Sequence, residues 1–122
     1  MDYASAIQWL YAQLPMYQRV GKAALNPNLD GITKLATHLG NPHQKFKSIH
    51  IAGTNGKGSS AHMLASILQE AGYKVGLYTS PHLRDFRERI RINGVPIDQE
   101  YILDFMVSNR IFFEQEAFSF FE

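Results

Sequence analysis

The sequence predicts an α/β fold in which a parallel β-sheet is flanked by helices, and three observations support this fold class. A short apolar run at residues 48–52 leads into a glycine-rich turn, and a helical pattern then continues to Gly72. A second apolar run at residues 74–79 follows, so the order is strand, helix, strand. Because 45% of the 122 residues are apolar, the chain is able to form a hydrophobic core. Two strands joined by a helix are expected to be parallel, with a right-handed crossover.

Two further helices are predicted before the first strand. Asp2 is a good N-cap for the first, whose apolar residues have helical spacing before Pro15: Ile7, Leu10, Tyr11 and Leu14. Residues 16–28 are rich in turn formers and predict an irregular loop. The second helix begins near Asp30, ends at the Gly-Asn-Pro stop of residues 40–42, and has its own apolar face: Ile32, Leu35, Ala36 and Leu39.

The helix that follows the glycine-rich turn is predicted over residues 57–71. Its apolar residues at helical spacing are expected to face inward, and Gly72 is expected to end it: Met63, Leu64, Ile67 and Leu68. Two strands are fewer than the roughly five or six of a typical sheet. We therefore expect residues 1–122 to be the N-terminal part of a larger protein, with this domain incomplete.

The C-terminal third of the chain predicts a hairpin followed by a helix. Residues 89–97 alternate around Asn93-Gly94, which is typical of a two-residue hairpin turn. Asp98 is placed to cap a long helix. The aromatic residues near the end of the chain are expected to have little to pack against: Phe118, Phe120 and Phe121.

The turn between the first strand and its helix has the features of a phosphate-binding loop. This glycine loop, residues 53–58, contains a single lysine, Lys57, and is followed by two hydroxyls, Ser59 and Ser60. Glycines let successive backbone N–H groups converge on an anion, and the helix N-terminus adds roughly half a positive charge. Lys57 adds a full charge. The serines are either Mg²⁺ ligands or simple helix-capping residues.

A second candidate segment follows the strand predicted at residues 74–79. Ser80-Pro81-His82-Leu83 leaves that strand at the end where ligands bind in open α/β sheets. Ser80 is therefore either a metal or phosphate ligand or part of an ordinary turn. The arginines that follow form either a solvated face or a site for an anionic substrate: Arg84, Arg87, Arg89 and Arg91.

Composition limits the partners that we expect. The net charge is +1, which favours neither a nucleic-acid nor a membrane-surface partner. The sequence has no cysteine, which excludes disulfides and thiolate metal sites. No signal-peptide pattern is present, and no apolar run approaches the ~18 residues that span a bilayer. We expect a cytoplasmic protein that binds small molecules.

Several separated motifs resemble one family, the bifunctional folylpolyglutamate synthase/dihydrofolate synthases of the Mur ligase superfamily. They are Gly53-Thr54-Asn55-Gly56-Lys57-Gly58-Ser59, Tyr78-Thr79-Ser80-Pro81-His82-Leu83 and Glu88-Arg89-Ile90-Arg91-Ile92, with weaker support at residues 39–42 and 119–122. The standard P-loop has Ser or Thr directly after the lysine, whereas here Gly58 intervenes, as in this superfamily. The resemblance implies a P-loop nucleotide-binding domain of Mur-ligase type. The rest of that domain and a C-terminal glutamate-binding domain would lie outside residues 1–122.

The resemblance also implies an activity and a set of contacts. The family uses ATP and Mg²⁺ to join L-glutamate to dihydropteroate or reduced folates through an acyl phosphate. Lys57 would be catalytic, the loop from Gly53 to Ser59 would hold the triphosphate, and Ser59 and Ser80 would meet the metal. The pterin site would be lined by Phe120, Phe121 and Glu122, with a weaker contact from Leu25, Asn26 and Pro27. We expect a monomeric full-length enzyme and an isolated 1–122 chain that is inactive and marginally folded.

Two other interpretations stay open from the residues alone. One is a P-loop kinase or nucleotide hydrolase, against which the inserted Gly58 and the Ser80-Pro81-His82-Leu83 motif both argue. The other is a nucleotide-binding module without catalysis.

Overall fold

The computed structural model describes residues 1–13, 29–118 and 120, and the chain divides into two compact units. The first unit contains Met1–Ser48 and Phe105–Glu122, and the second contains Ile49–Asp104. The last helix, α4 (Gln99–Glu116), begins in the second unit and continues into the first.

The first unit contains the two predicted N-terminal helices. Helix α1 (Tyr3–Ala12) begins at the predicted N-cap, since the Asp2 carboxylate accepts the Ser5 N–H at 2.8 Å. Helix α2 (Asp30–His38) is followed by Gly40 and Asn41, both with positive φ, as the Gly-Asn-Pro stop predicts. Leu14, Pro15 and the loop predicted at residues 16–28 lie outside the described residues.

The core of the first unit is formed by residues from α1, α2 and α4 and from the segment after α4. Its buried residues are Ala6, Leu35, Met106 and Phe118. The Phe118 ring lies 5.4 Å from Phe112 and 6.2 Å from Phe113 between centroids. The Phe120 ring stacks on Tyr11 at 5.7 Å.

The expectation that the terminal aromatic residues lack packing partners is therefore wrong for Phe118 and Phe120. The reason is that α1 and α4 present aromatic rings to this segment, a non-local arrangement that no sequence window shows. The Phe120 N–H also donates to the Gln13 carbonyl oxygen at 3.1 Å. Phe121 lies outside the described residues.

The second unit contains helix α3 (Lys57–Glu70) and an antiparallel three-stranded sheet in the order β1-β2-β3. The strands are β1 (Gly76–Tyr78), β2 (Ile90–Ile92) and β3 (Val95–Pro96). Leu77 pairs with Arg91, and Ile92 pairs with Val95. Asn93 and Gly94 have φ of +50° and +81°, which confirms the two-residue hairpin turn predicted there.

The strand predicted at residues 48–52 is not a strand in the structure, which assigns no regular element to residues 47–53. An extended segment becomes a strand when a neighbouring backbone satisfies its N–H and C=O groups. Within residues 1–13, 29–118 and 120, no strand pairs with this segment, and every strand pair is antiparallel. The chain is thus an α/β region whose described sheet is antiparallel, in place of the parallel βαβ unit that was predicted.

Helix α3 confirms its predicted bounds to within one residue, and Gly72 follows it with φ +95°. The prediction of its inward face is half right. Leu64 and Leu68 are partly buried, whereas Met63 and Ile67 are 63% and 65% exposed. The helix packs against β1 on one side, and the described part of the second unit leaves the side carrying Met63 and Ile67 open.

Candidate functional site

The glycine loop turns directly into the N-terminus of α3. Gly56 is the N-cap residue, with the left-handed φ of +79° that glycine adopts without a Cβ clash, and no side chain caps this end. The Ser60 N–H donates to the Gly56 carbonyl oxygen at 2.9 Å, which begins the helical hydrogen bonding. The N–H groups of Lys57, Gly58 and Ser59 precede that bond, as at every helix start. They carry the partial positive charge of the helix dipole.

The Lys57 side chain folds back over the loop that precedes it. Its Nζ donates to the carbonyl oxygens of Gly53 at 2.7 Å and Thr54 at 3.3 Å. The Lys57 ammonium group is therefore held against the first residues of the loop, beside the N-terminus of α3. Residues 52–60 are all exposed, so an anion can reach the loop from solvent. It can then replace these carbonyl oxygens as the hydrogen-bond acceptor of the Lys57 ammonium group.

The glycines of this loop leave space that the described protein does not fill. An ideal Cβ built at Gly56 or at Gly58 would meet no atom within 4 Å. Gly56 requires glycine because of its positive φ. Gly58 lies inside the helix without that constraint, so neither packing nor backbone geometry explains a glycine there. Close approach of a ligand to the backbone would explain it.

The two serines after the loop lie in the first turn of α3, and both are exposed. Hydroxyl oxygens suit Mg²⁺, a hard cation that is usually held by one or two protein groups together with phosphate oxygens and water. Among residues 1–13, 29–118 and 120, no group of three or more His, Cys, Asp or Glu residues is placed to hold a metal.

The second predicted segment forms a closed loop, which we call the Ser-Pro loop (residues 79–89). Its base is joined by the Thr79 N–H, which donates to the Arg89 carbonyl oxygen at 2.9 Å. Ser80 is exposed, and its bond to Pro81 is cis. Across the loop, Arg89 Nε donates to His82 Nδ1 at 2.7 Å.

One carboxylate holds the middle of the Ser-Pro loop. Glu88 accepts the backbone N–H groups of Leu83 and Arg84 at 3.0 Å and of Asp85 at 2.9 Å. These hydrogen bonds, with that of Leu83 the largest contribution, hold the pKa of Glu88 below its usual value. Asp85 in turn accepts the Arg87 N–H at 3.0 Å, and together the two acidic residues form a capping box.

The arginines of this region differ in their surroundings, so they do not form a uniformly solvated face. Arg87 forms an ion pair with Asp85 at 3.1 Å, and Arg89 binds His82 with its guanidinium carbon 5.5 Å from the Phe86 ring centroid. Arg91 Nε is buried and has no partner among the described residues. Arg91 lines a cavity of about 170 Å³ together with His62, Ala65, Ser66, Gln69, Val75, Leu77 and Gly94.

The structure locates some of the predicted site residues and leaves others outside its described part. The glycine loop, Ser59 and Ser80 all belong to the second unit. Phe120 belongs to the first unit and is half-buried there against Tyr11. The remaining predicted pterin contacts lie outside the described residues: Leu25, Asn26, Pro27, Phe121 and Glu122.

The residues that hold the Ser-Pro loop, Glu88 and Arg89, were not predicted from the sequence. A usable signal was present, because Asp85 and Glu88 have the spacing of an N-cap and its N3 partner. The Arg89–His82 bond has no comparable local signal. In the part of the chain that the structure describes, no helix is long and apolar enough to cross a membrane.

No protein-family model matches the chain, but individual proteins do. Dihydrofolate synthase/folylpolyglutamate synthase of Bacillus subtilis is 43% identical over 98 residues, which are 80% of this chain and 21% of that protein. Dihydrofolate synthetase of Saccharomyces cerevisiae is 48% identical over 77 residues, 63% of this chain and 18% of that protein. The chain thus spans about a fifth of the length of these curated relatives.

Solved structures agree with the sequence matches. Folylpolyglutamate synthase from Thermotoga maritima superimposes with a TM-score of 0.80 and 40% identity, over 93% of this chain and 24% of that one. A complex of a folylpolyglutamate synthase with AMPPCP and folate gives a TM-score of 0.82 and 33% identity. That match covers 99% of this chain and 30% of the other.

Proposed function

We propose, from the premise that this chain is homologous to the folylpolyglutamate and dihydrofolate synthases, that the whole protein is an ATP-dependent ligase. It would join the amino group of L-glutamate to a carboxylate of dihydropteroate, of reduced folates, or of both. The observation that carries this proposal is the glycine loop at the N-terminus of α3. There Lys57 Nζ lies over the loop, and an ideal Cβ at Gly56 or Gly58 would meet no atom within 4 Å.

The loop is suited to hold the triphosphate of ATP. Residues from Gly53 to Ser59 would supply backbone N–H groups to the phosphate oxygens, and Lys57 Nζ would leave the Gly53 and Thr54 carbonyl oxygens for a phosphate. A phosphate oxygen carries negative charge whereas a carbonyl oxygen is neutral, so the attraction between opposite charges favours that exchange. The absence of a Cβ at Gly56 and Gly58 would let the phosphates approach the backbone closely.

The chemistry needs charge neutralisation and alignment more than a covalent nucleophile. An oxygen of the substrate carboxylate attacks the γ-phosphorus, the bond to the β,γ-bridging oxygen breaks, and ADP leaves. The glutamate amine then attacks the carbonyl carbon of the acyl phosphate, releasing inorganic phosphate and a proton. Lys57 and the α3 N–H groups would meet the charge that develops on the γ-phosphate oxygens.

We propose that the hydroxyls of Ser59 and Ser80 are the ligands of Mg²⁺ from the described part of the protein. The ion would neutralise phosphate charge while bound. Ser80→Ala should then raise the Mg²⁺ concentration that gives half-maximal activity of the whole protein. A titration that coincides with wild type would remove Ser80 from the site.

We also propose that residues 48–52 form a strand of a parallel, Mur-ligase-type sheet in the whole protein. Its curated relatives are about five times longer than this chain, and Ile49 is 66% exposed in the described part of this one. Slow amide hydrogen exchange at residues 48–52 of the whole protein would support this pairing, and exchange at the rate of a solvated loop would contradict it.

The deciding experiment for the activity incubates the whole protein with ATP, Mg²⁺ and glutamate, with either dihydropteroate or tetrahydrofolate. Phosphate release that requires both the pterin acid and glutamate supports the ligase. Release that is indifferent to both supports a nucleotide hydrolase. ATP binding without turnover supports a nucleotide-binding module, and comparing the two pterin acids assigns the substrate.

A further inference from the structure

Both flanks of Ser80 are held by a single residue, Arg89. On one side, the Thr79 N–H donates to the Arg89 carbonyl oxygen at 2.9 Å. On the other side, Arg89 Nε donates to His82 Nδ1 at 2.7 Å. Ser80 thus lies on a short chain segment whose two ends are fastened to one arginine, by its backbone and by its side chain.

Arg89 is itself well fixed. It is the last residue of a 3₁₀ turn, Phe86–Arg89, which begins at the capping box of Asp85 and Glu88. Its guanidinium carbon lies 5.5 Å from the centre of the Phe86 ring, a distance at which cation and ring attract. The His82 ring meets the same Phe86 ring edge-on, with 6.0 Å between centroids. The two contacts that Arg89 makes on either side of Ser80, to Thr79 and to His82, are therefore held in place.

The bond between Arg89 and His82 assigns a role to each partner. Because Nδ1 accepts a hydrogen bond, the neutral His82 ring carries its proton on Nε2. His82 is the acceptor of the hydrogen bond from Arg89, a role that an asparagine Oδ1 at the same place can fill. Arg89 donates from Nε, which is fixed within the planar guanidinium, and a lysine has no equivalent donor at that position.

We infer that Arg89 is a positioning residue that aims the Ser80 hydroxyl at the Mg²⁺ of bound ATP. This inference rests on the proposed function, in which Ser80 is a metal ligand. Mg²⁺ accepts oxygen ligands within a narrow range of about 2.0–2.1 Å, so a ligand on a loose loop binds it poorly. Residues that orient metal ligands in this way typically change metal affinity about 10- to 100-fold when replaced.

The test measures binding of AMPPCP to the whole protein by calorimetry, with saturating Mg²⁺ and with EDTA. In Arg89→Lys, we expect the affinity for AMPPCP in EDTA to equal that of wild type. The increase in that affinity on adding Mg²⁺, which we call the Mg²⁺ gain, should fall by about 10-fold or more. Activity gives a second measurement, since its half-saturating Mg²⁺ concentration should rise in the same variant. The kcat at saturating Mg²⁺ should return toward wild type.

Three further variants make the test specific. Arg87→Lys is the matched control, because Arg87 lies in the same 3₁₀ turn but binds Asp85, and its Mg²⁺ dependence should equal that of wild type. His82→Ala removes the acceptor and should behave like Arg89→Lys. His82→Asn restores an acceptor and should recover most of the Mg²⁺ gain.

The same binding measurements distinguish this inference from its alternatives. An Arg89→Lys protein with an unchanged Mg²⁺ gain overturns the inference, as does an Arg87→Lys protein that loses as much, which would indicate general loosening of the loop. Weaker binding in EDTA would mean that Arg89 contacts the nucleotide instead. Because binding is measured directly, these results stand even if the wild-type protein forms no amide, an outcome that would contradict the proposed function.

Discussion

The glycine loop and the Ser-Pro loop belong to the same unit but are ordered by opposite means. The glycine loop is exposed, its helix end has no side-chain cap, and its one long side chain, Lys57, binds backbone carbonyls. The Ser-Pro loop is held by its own side chains, since Glu88 accepts backbone N–H groups and Arg89 binds His82 across the loop. The first loop presents donors that a ligand would satisfy, whereas the second is organised before any ligand arrives. Preorganisation of this kind reduces the ordering cost of binding.

The largest effect should come from the donor that the glycine loop presents. Lys57→Ala in the whole protein should lower kcat far more than it weakens pterin binding, because Lys57 meets charge that grows in the transition state. Loss of one such donor costs ~3–4 kcal/mol, about 10²–10³ in rate. Steady-state kinetics measure this, with Lys74→Ala as the control for losing an exposed lysine of the same unit. A Lys57→Ala enzyme with more than about a tenth of wild-type kcat would contradict the assignment.

A smaller and more diagnostic effect is expected at Gly58. Gly58→Ala should stabilise the folded chain slightly, by up to about 1 kcal/mol, because alanine is the better helix former and its Cβ meets open space. The same methyl group should weaken ATP binding about 10- to 100-fold, since one charged hydrogen bond to phosphate is worth ~1.5–3 kcal/mol. Thermal unfolding and calorimetric titration with AMPPCP measure the two quantities separately.

Gly56→Ala provides the contrast within the same loop. Its φ of +79° lies in the left-handed region, where an L-residue costs roughly 1–2 kcal/mol, so both stability and ATP affinity should fall. If Gly58→Ala leaves AMPPCP affinity unchanged, no ligand approaches that position and the loop is not a phosphate site of the proposed kind.

The smallest effect is a titration inside the Ser-Pro loop. The hydrogen bonds to Glu88 lower its folded-state pKa, so their stabilisation is complete above the unfolded-state pKa and is lost as the pH falls through the folded-state value. The amide resonances of Leu83, Arg84 and Asp85 should therefore shift together in NMR spectra, with one midpoint below 4.5, the ordinary pKa of glutamate. Glu88→Gln should abolish the common midpoint. A midpoint at or above 4.5 would show that the carboxylate is not held in this way.

Much of the local structure was predictable, because its signals lie within a few residues of the elements that they specify. Asp2 accepts the N–H of the third residue after it, Asn93-Gly94 suits two successive positive φ angles, and Gly72 ends α3. The glycine loop also lies at the N-terminus of α3, as predicted. Its binding of ATP and the metal contacts of Ser59 and Ser80 stay predictions.

The sequence by itself determined the helices, the hairpin turn and the place of the glycine loop, since propensities, caps and turn geometry act over short distances along the chain. Tertiary structure alone decided that residues 48–52 have no strand partner among the described residues, that β1 pairs antiparallel with β2, and that Phe118 is buried. It also decided which acceptor Arg89 binds. Each of these depends on which distant backbone or side chain comes within contact distance, and a local pattern does not encode its partner.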